Sequence, residues 1–102
     1  MSADKILEKW RIQVPPQVLL RDVLLVAKSK FESVTPPKGG GHYKIFDNRM
    51  LRLWRLRPDF ISDCPNGTYG IATVNGRFVK GYYVERMIEL IDIVDEMTEK
   101  GY

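Results

Sequence analysis

Apolar positions recur at helical spacing at both ends of the chain and alternate weakly in the middle. Ile6, Leu7 and Trp10 fall on one side of a short helix that starts behind Ser2 and runs to about Gln13. Pro15-Pro16 ends it, and Pro16 suits the start of a second helix, Gln17 to Lys30. In that segment Leu20, Leu24, Ala27 and Phe31 share one face, widened by Val23 and Val26. Lys30 to Thr35 predicts a short strand closed by Pro36-Pro37, and Gly39-Gly40-Gly41 predicts a turn. His42 to Phe46 predicts a second strand. Between Asp47 and Gly67 the pattern is mixed. Met50 to Arg57 reads as a strand extension or a hairpin arm, and Pro58 to Gly67 as loop.

Tyr69 to Val74 has strand composition, and Asn75-Gly76 is a tight-turn signal from which Arg77 to Val79 returns. A looser turn straight into the last helix fits the same residues. That helix spans about Tyr83 to Lys100, with Val84, Met87, Ile88, Ile91, Val94 and Met97 as its apolar stripe and Gly101 at its end. The expected fold is α+β, an antiparallel three-stranded sheet with two helices on one face. Residues 1–16 form an N-terminal helical arm on a domain of residues 17–102.

Composition narrows the class without fixing the activity. A chain of 102 residues with 44% hydrophobic content can build one modest core. Its longest clean apolar run, Val23 to Ala27, is far short of the roughly 20 residues of a membrane span. Ser2-Ala3-Asp4-Lys5 does not begin a signal peptide, and a cytoplasmic setting without membrane contact is expected. The single cysteine, Cys64, has no disulfide partner, and no Cys/His cluster points to zinc, so no cofactor is expected.

The net charge of +3 conceals an asymmetry. Residues 1–81 carry 14 basic and 7 acidic side chains, whereas six acids stand against Arg86 and Lys100 beyond them. A basic body with an acidic last helix suits a polyanion such as RNA, and a solvated surface of mixed charge is the plainer reading.

Chemistry concentrates in "KGGGHYKI", which holds the only histidine, His42. Consecutive glycines can present backbone N–H groups to an anionic oxygen, and a histidine beside them can exchange a proton near neutral pH. Lys38 and Lys44 add positive charge, and Gly40 and Gly41 are the candidate phosphate cradle. The set suits RNA cleavage in which His42 activates a ribose 2′-hydroxyl, and it also suits an ordinary glycine-rich turn. A two-histidine mechanism is impossible within one chain. Cys64, beside Pro65, lies in no nucleophile motif and reads as incidental.

Arg49, Arg52, Arg55 and Arg57 interleave with Leu51, Leu53, Trp54 and Leu56. Arg52, Trp54 and Arg55 are candidate RNA contacts, since arginine binds phosphate and tryptophan stacks on bases. A half-buried strand with a charged outer face would show the same pattern. Tyr82 and Tyr83 can reach the same surface or serve only to begin the last helix.

These stretches, in order, resemble the HicA-family toxins, the ribonuclease halves of bacterial toxin–antitoxin pairs. The resemblance rests on the helix "VLLRDVLLVAKSKF", a short strand, "KGGGHYKI", and "IATVNGRFVKGYYVERMIELI", across about residues 17–98. It implies a double-stranded-RNA-binding-like fold, ordered helix, three strands, helix. It also implies metal-independent cleavage of mRNA and a HicB-like antitoxin that covers the active site. By this resemblance His42 matches the catalytic histidine and Gly40 the glycine of a glycine-serine-histidine triplet. Gly41 stands where the family usually has serine. Residues 47–67 carry nothing over from it. An RNA-binding module that does not cut, and a small domain whose basic face meets an acidic protein, remain the alternatives.

Overall fold

Helix α1 (Ala3–Ile12) forms where its spacing predicts: the Lys5 amide donates to the Ser2 hydroxyl at 3.3 Å, and Ile6, Leu7 and Trp10 are buried. The computed structural model describes residues 2–39 and 41–101. Helix α1 is tied to the rest at both ends. Lys30 reaches Asp4 at 2.9 Å, and Arg11 grips both carboxylate oxygens of Asp92 at 3.1 and 2.7 Å.

The second helix is shorter than its pattern predicts. Gln17–Leu19 is a strand, β1, and helix α2 runs Leu20–Lys30. Strand β1 pairs antiparallel with β5 (Phe78–Lys80), with Val18 opposite Val79, and both valines are buried. Pro15 and Pro16 hold the preceding backbone extended, and two β-branched residues gain more from burial in a ribbon than from an exposed helical turn. Of the predicted α2 stripe, Leu20, Val23, Val26, Ala27 and Phe31 are buried, whereas Leu24 is only half-buried against the core.

The three-stranded antiparallel sheet is present, ordered β2 (Ser33–Thr35), β3 (Tyr43–Phe46), β4 (Thr68–Ile71). Thr35 faces Lys44, and Lys44 faces Gly70. Alternation therefore turns Ile45, Tyr69 and Ile71 into the core and leaves Ser33, Thr35 and Lys44 exposed on the other face. Asn75-Gly76 makes its turn with both residues at positive φ, 54° and 65°. The returning strand touches the outgoing chain only at Val74–Phe78 before β5 crosses to β1.

Met50 to Arg57 is the clearest departure from the sequence reading. It is neither a strand nor a hairpin arm: helix α3 spans Asn48–Leu56. Met50 is buried and Leu53 and Trp54 are half-buried, a spacing of three and four that one helical face satisfies. Helix α3 and the β1–β5 ribbon are additions to the expected order of helix, three strands, helix.

Helix α4 (Gly81–Glu99) closes the core with Val84, Met87, Leu90, Ile91, Val94 and Met97 buried. Ile88 is only half-buried, and Leu90 takes the inward position beside Ile91. No helix among the described residues is long and apolar enough to cross a membrane.

Asp47 joins these pieces. Its carboxylate is buried and accepts from the Arg49 amide at 2.8 Å, the Arg49 Nε and Nη2 at 2.9 and 2.8 Å, and the Glu32 amide at 3.1 Å. Arg49 continues to the Lys30 carbonyl and the Thr98 hydroxyl, both at 3.1 Å. One carboxylate thus caps α3 and ties it to α2, and through Arg49 to α4. Burial pushes the Asp47 acid up, but the Arg49 hydrogen bonds and charge outweigh burial and hold it below its ordinary value.

The sign of the pH effect follows. A depressed folded-state pKa stabilises the fold fully above the unfolded value of about 4 and stops doing so as pH falls through the folded value. Asp63, lowered chiefly by its hydrogen bond from Arg86, adds a second contribution of the same sign. Acid titration of stability should therefore fall more steeply below about pH 4 in the native protein than in Asp47→Asn, which still caps but carries no charge. Parallel acid limbs would show that Asp47 is not a source of the acid sensitivity.

Candidate functional site

His42 directly precedes β3 and is exposed. It shares a face with Lys44, two residues on, so the two side chains leave the backbone roughly 7 Å apart. The imidazole lies over Gly70 of the neighbouring strand. A Cβ on Gly70 would stand 3.5 Å from the His42 Cβ and 3.6 Å from its Cδ2. Gly70 thus lies beneath the ring, at a distance where an added methyl would touch it in ordinary van der Waals contact, and this neighbour is a part of the site that the sequence reading missed. A lone glycine inside a strand pattern is the signal that could have drawn attention to this position.

Among the described residues, no hydrogen bond or ion pair engages the side chain of His42 or of Lys44. Both are presented to solvent with their polar atoms unused, as a proton-transfer group and an electrostatic helper require.

The glycine turn is only partly described. Gly39 has φ +67°, a conformation that suits glycine. Gly40 lies outside the described residues, so its place in a phosphate cradle does too. Gly41 is not in the left-handed region, and a Cβ there would meet only Pro37, at 3.9 Å. A serine would fit that position without strain. Lys38 is exposed in the same turn.

The arginine ribbon is divided by the helix that carries it. Arg49 is committed to Asp47 and the structural network around it. Arg57 pairs with Asp59 at 3.5 Å. Arg52 and Arg55 are exposed with no ion pair among the described residues, and they line a groove of about 400 Å³ with Leu56 and Met97. Trp54 is half-buried against the core, so much of its ring is withdrawn from any base. His42 and Lys44 come together on the sheet, whereas Arg52 and Arg55 belong to a helix that starts beyond the far end of β3.

Cys64 is buried, and that burial, reinforced by the Asp63 charge, pushes its thiol up to about 12. It stays protonated at neutral pH and serves the core, in keeping with the incidental reading. No group of three or more His, Cys, Asp or Glu among the described residues is arranged to hold a metal ion. Tyr69 lies on β4 with its hydroxyl donating to the Tyr83 carbonyl at 3.0 Å, which fixes the start of α4 against the sheet.

Compared with known proteins, the chain matches no family model, no curated protein and no solved structure.

Proposed function

We propose that the protein is a HicA-like ribonuclease that cleaves mRNA in the cytoplasm without a metal, with His42 as the proton-transfer group. The observation that carries this reading is the side-by-side exposure of His42 and Lys44 on the open face of the sheet, with the imidazole bedded on Gly70. In this reading β2, β3 and β4 with α2 and α4 are the double-stranded-RNA-binding-like core, and α3 and the ribbon are insertions around it.

The chemistry needs little machinery. The His42 imidazole takes the proton of a ribose 2′-hydroxyl, and the freed oxygen attacks the adjacent phosphorus. The bond from phosphorus to the 5′-oxygen breaks, leaving a 2′,3′-cyclic phosphate. The departing 5′-oxygen takes a proton from water. The Lys44 ammonium offsets the charge that gathers on the phosphate oxygens, together with N–H groups of the glycine turn. Arg52 and Arg55 bind the phosphates of RNA beyond the reacting one. A HicB-like antitoxin covers the His42 face and silences it.

The test is cleavage of a mixed-sequence RNA by the purified protein in EDTA. Fragments ending in cyclic phosphate are expected. RNA binding without fragments supports the binding-module reading instead, and neither binding nor cleavage leaves only the protein-interaction reading.

A further inference from the structure

The sheet end that carries His42 opens onto a second feature. Tyr43 pairs with Ile71, so His42 and Ala72 lie opposite one another just beyond the paired strands. Ala72 also lines a cleft of about 480 Å³ with Thr73, Asn75, Lys80, Tyr82 and Tyr83. Clefts of similar volume open beside Trp10 and beside Leu24, but neither is lined by a residue of β4 or by Ala72.

The two tyrosines differ in their surroundings. Tyr83 is half-buried and packed on the core. Burial, followed by the neighbouring Tyr82, pushes its phenol above the ordinary value. Tyr82 lies against Tyr83, ring centroids 4.6 Å apart and planes 34° from parallel. It is nevertheless 60% exposed. An aromatic ring supported on one side and open on the other can extend a stack by one more flat ring. Lys80, exposed and without an ion pair among the described residues, flanks it, and Thr73 and Asn75 supply polar groups that can meet a base edge.

We propose that this cleft is a nucleobase subsite: Tyr82 stacks on an unpaired base of single-stranded RNA while Lys80 meets its phosphate, holding the neighbouring nucleotide at His42. This rests on the ribonuclease reading and adds to it a preference for single-stranded substrate. A base within a duplex is already stacked on both faces and cannot enter the cleft.

The test uses a short single-stranded RNA with 2′-O-methyl groups throughout, which binds but cannot be cut. Its affinity is measured by fluorescence anisotropy for the native protein, Tyr82→Ala, Tyr82→Phe and Lys80→Ala. Loss of one stacking contact should raise Kd about 5- to 150-fold in Tyr82→Ala, with the salt slope unchanged, since stacking releases no counterions. Tyr82→Phe should bind like the native protein. Lys80→Ala should flatten the salt slope by about one phosphate contact. Equal affinity of Tyr82→Ala and the native protein would overturn the subsite and leave the role of His42 standing. No RNA binding by the native protein would overturn both. Unaltered binding to the uncut RNA in all variants, with cleavage of ordinary RNA by the native protein, would overturn the subsite alone.

Discussion

Replacing His42 by alanine should lower RNA cleavage about 10²–10⁴-fold, the usual cost of losing a positioned acid or base. Growth inhibition on expression should disappear with it. Fold and stability should hardly change, because the side chain is exposed and makes no hydrogen bond to any described residue. Binding of uncut RNA should largely survive, because Lys44, Arg52 and Arg55 remain. Added imidazole should restore part of the lost rate in the variant, since the space above Gly70 is then free for a diffusible ring. That rescue separates proton transfer from a merely positional role. Cleavage by purified His42→Ala at the native rate, with contaminating nuclease excluded, would make His42 an ordinary turn residue.

Gly67→Ala should damage the fold severely. Gly67 has φ +78°, where an alanine costs about 1–2 kcal/mol. Its missing Cβ also makes room for α3: an added methyl would stand 2.7 Å from the Leu51 amide nitrogen and 2.8 Å from the Leu51 Cα. Backbone cannot step aside as a side chain can, so a further cost of about 1–3 kcal/mol follows. The Gly67 carbonyl also receives the Asp47 amide at 3.3 Å, so displacement reaches the cap of α3 directly. The melting temperature should drop by more than about 10 °C. Gly76→Ala is the matched control. Its φ is +65°, but nothing lies within 4 Å of its added methyl, so it suffers the backbone strain alone. Equal losses in the two variants would mean that α3 moves aside at little cost.

The elements best marked in the sequence were those whose apolar period matched their environment. The stripes of α2 and α4, the Ser2 cap and the Asn75-Gly76 turn were all legible for that reason. The β1–β5 ribbon was not, since Gln17, Val18 and Leu19 continue the helical pattern of the residues after them. What makes them a strand is a partner about sixty residues away, which no local window contains. Helix α3 was missed differently. Leucine and arginine alternate over part of it, which imitates a strand, and the deciding sign was Asp47 as an N-cap. The same acid explains why Arg49 is withdrawn from the basic surface while Arg52 and Arg55 stay on it. At the candidate site, His42 and Lys44 could be named from composition. Gly70 and Tyr82 could not be placed beside them without the register of β3 on β4 and the turn that follows.

The pairing of Val18 with Val79 also sets a schedule for synthesis. A growing chain emerges from its N-terminus, and here the first strand waits for nearly the last. The loop that must close before β1 has a partner spans most of the protein, and contacts so distant in sequence slow the final collapse. Helix α4, which buries seven of its residues in the core, is made later still. Neither the ribbon nor the core can therefore be completed from the N-terminal half alone: both wait until β5 and α4 have been made.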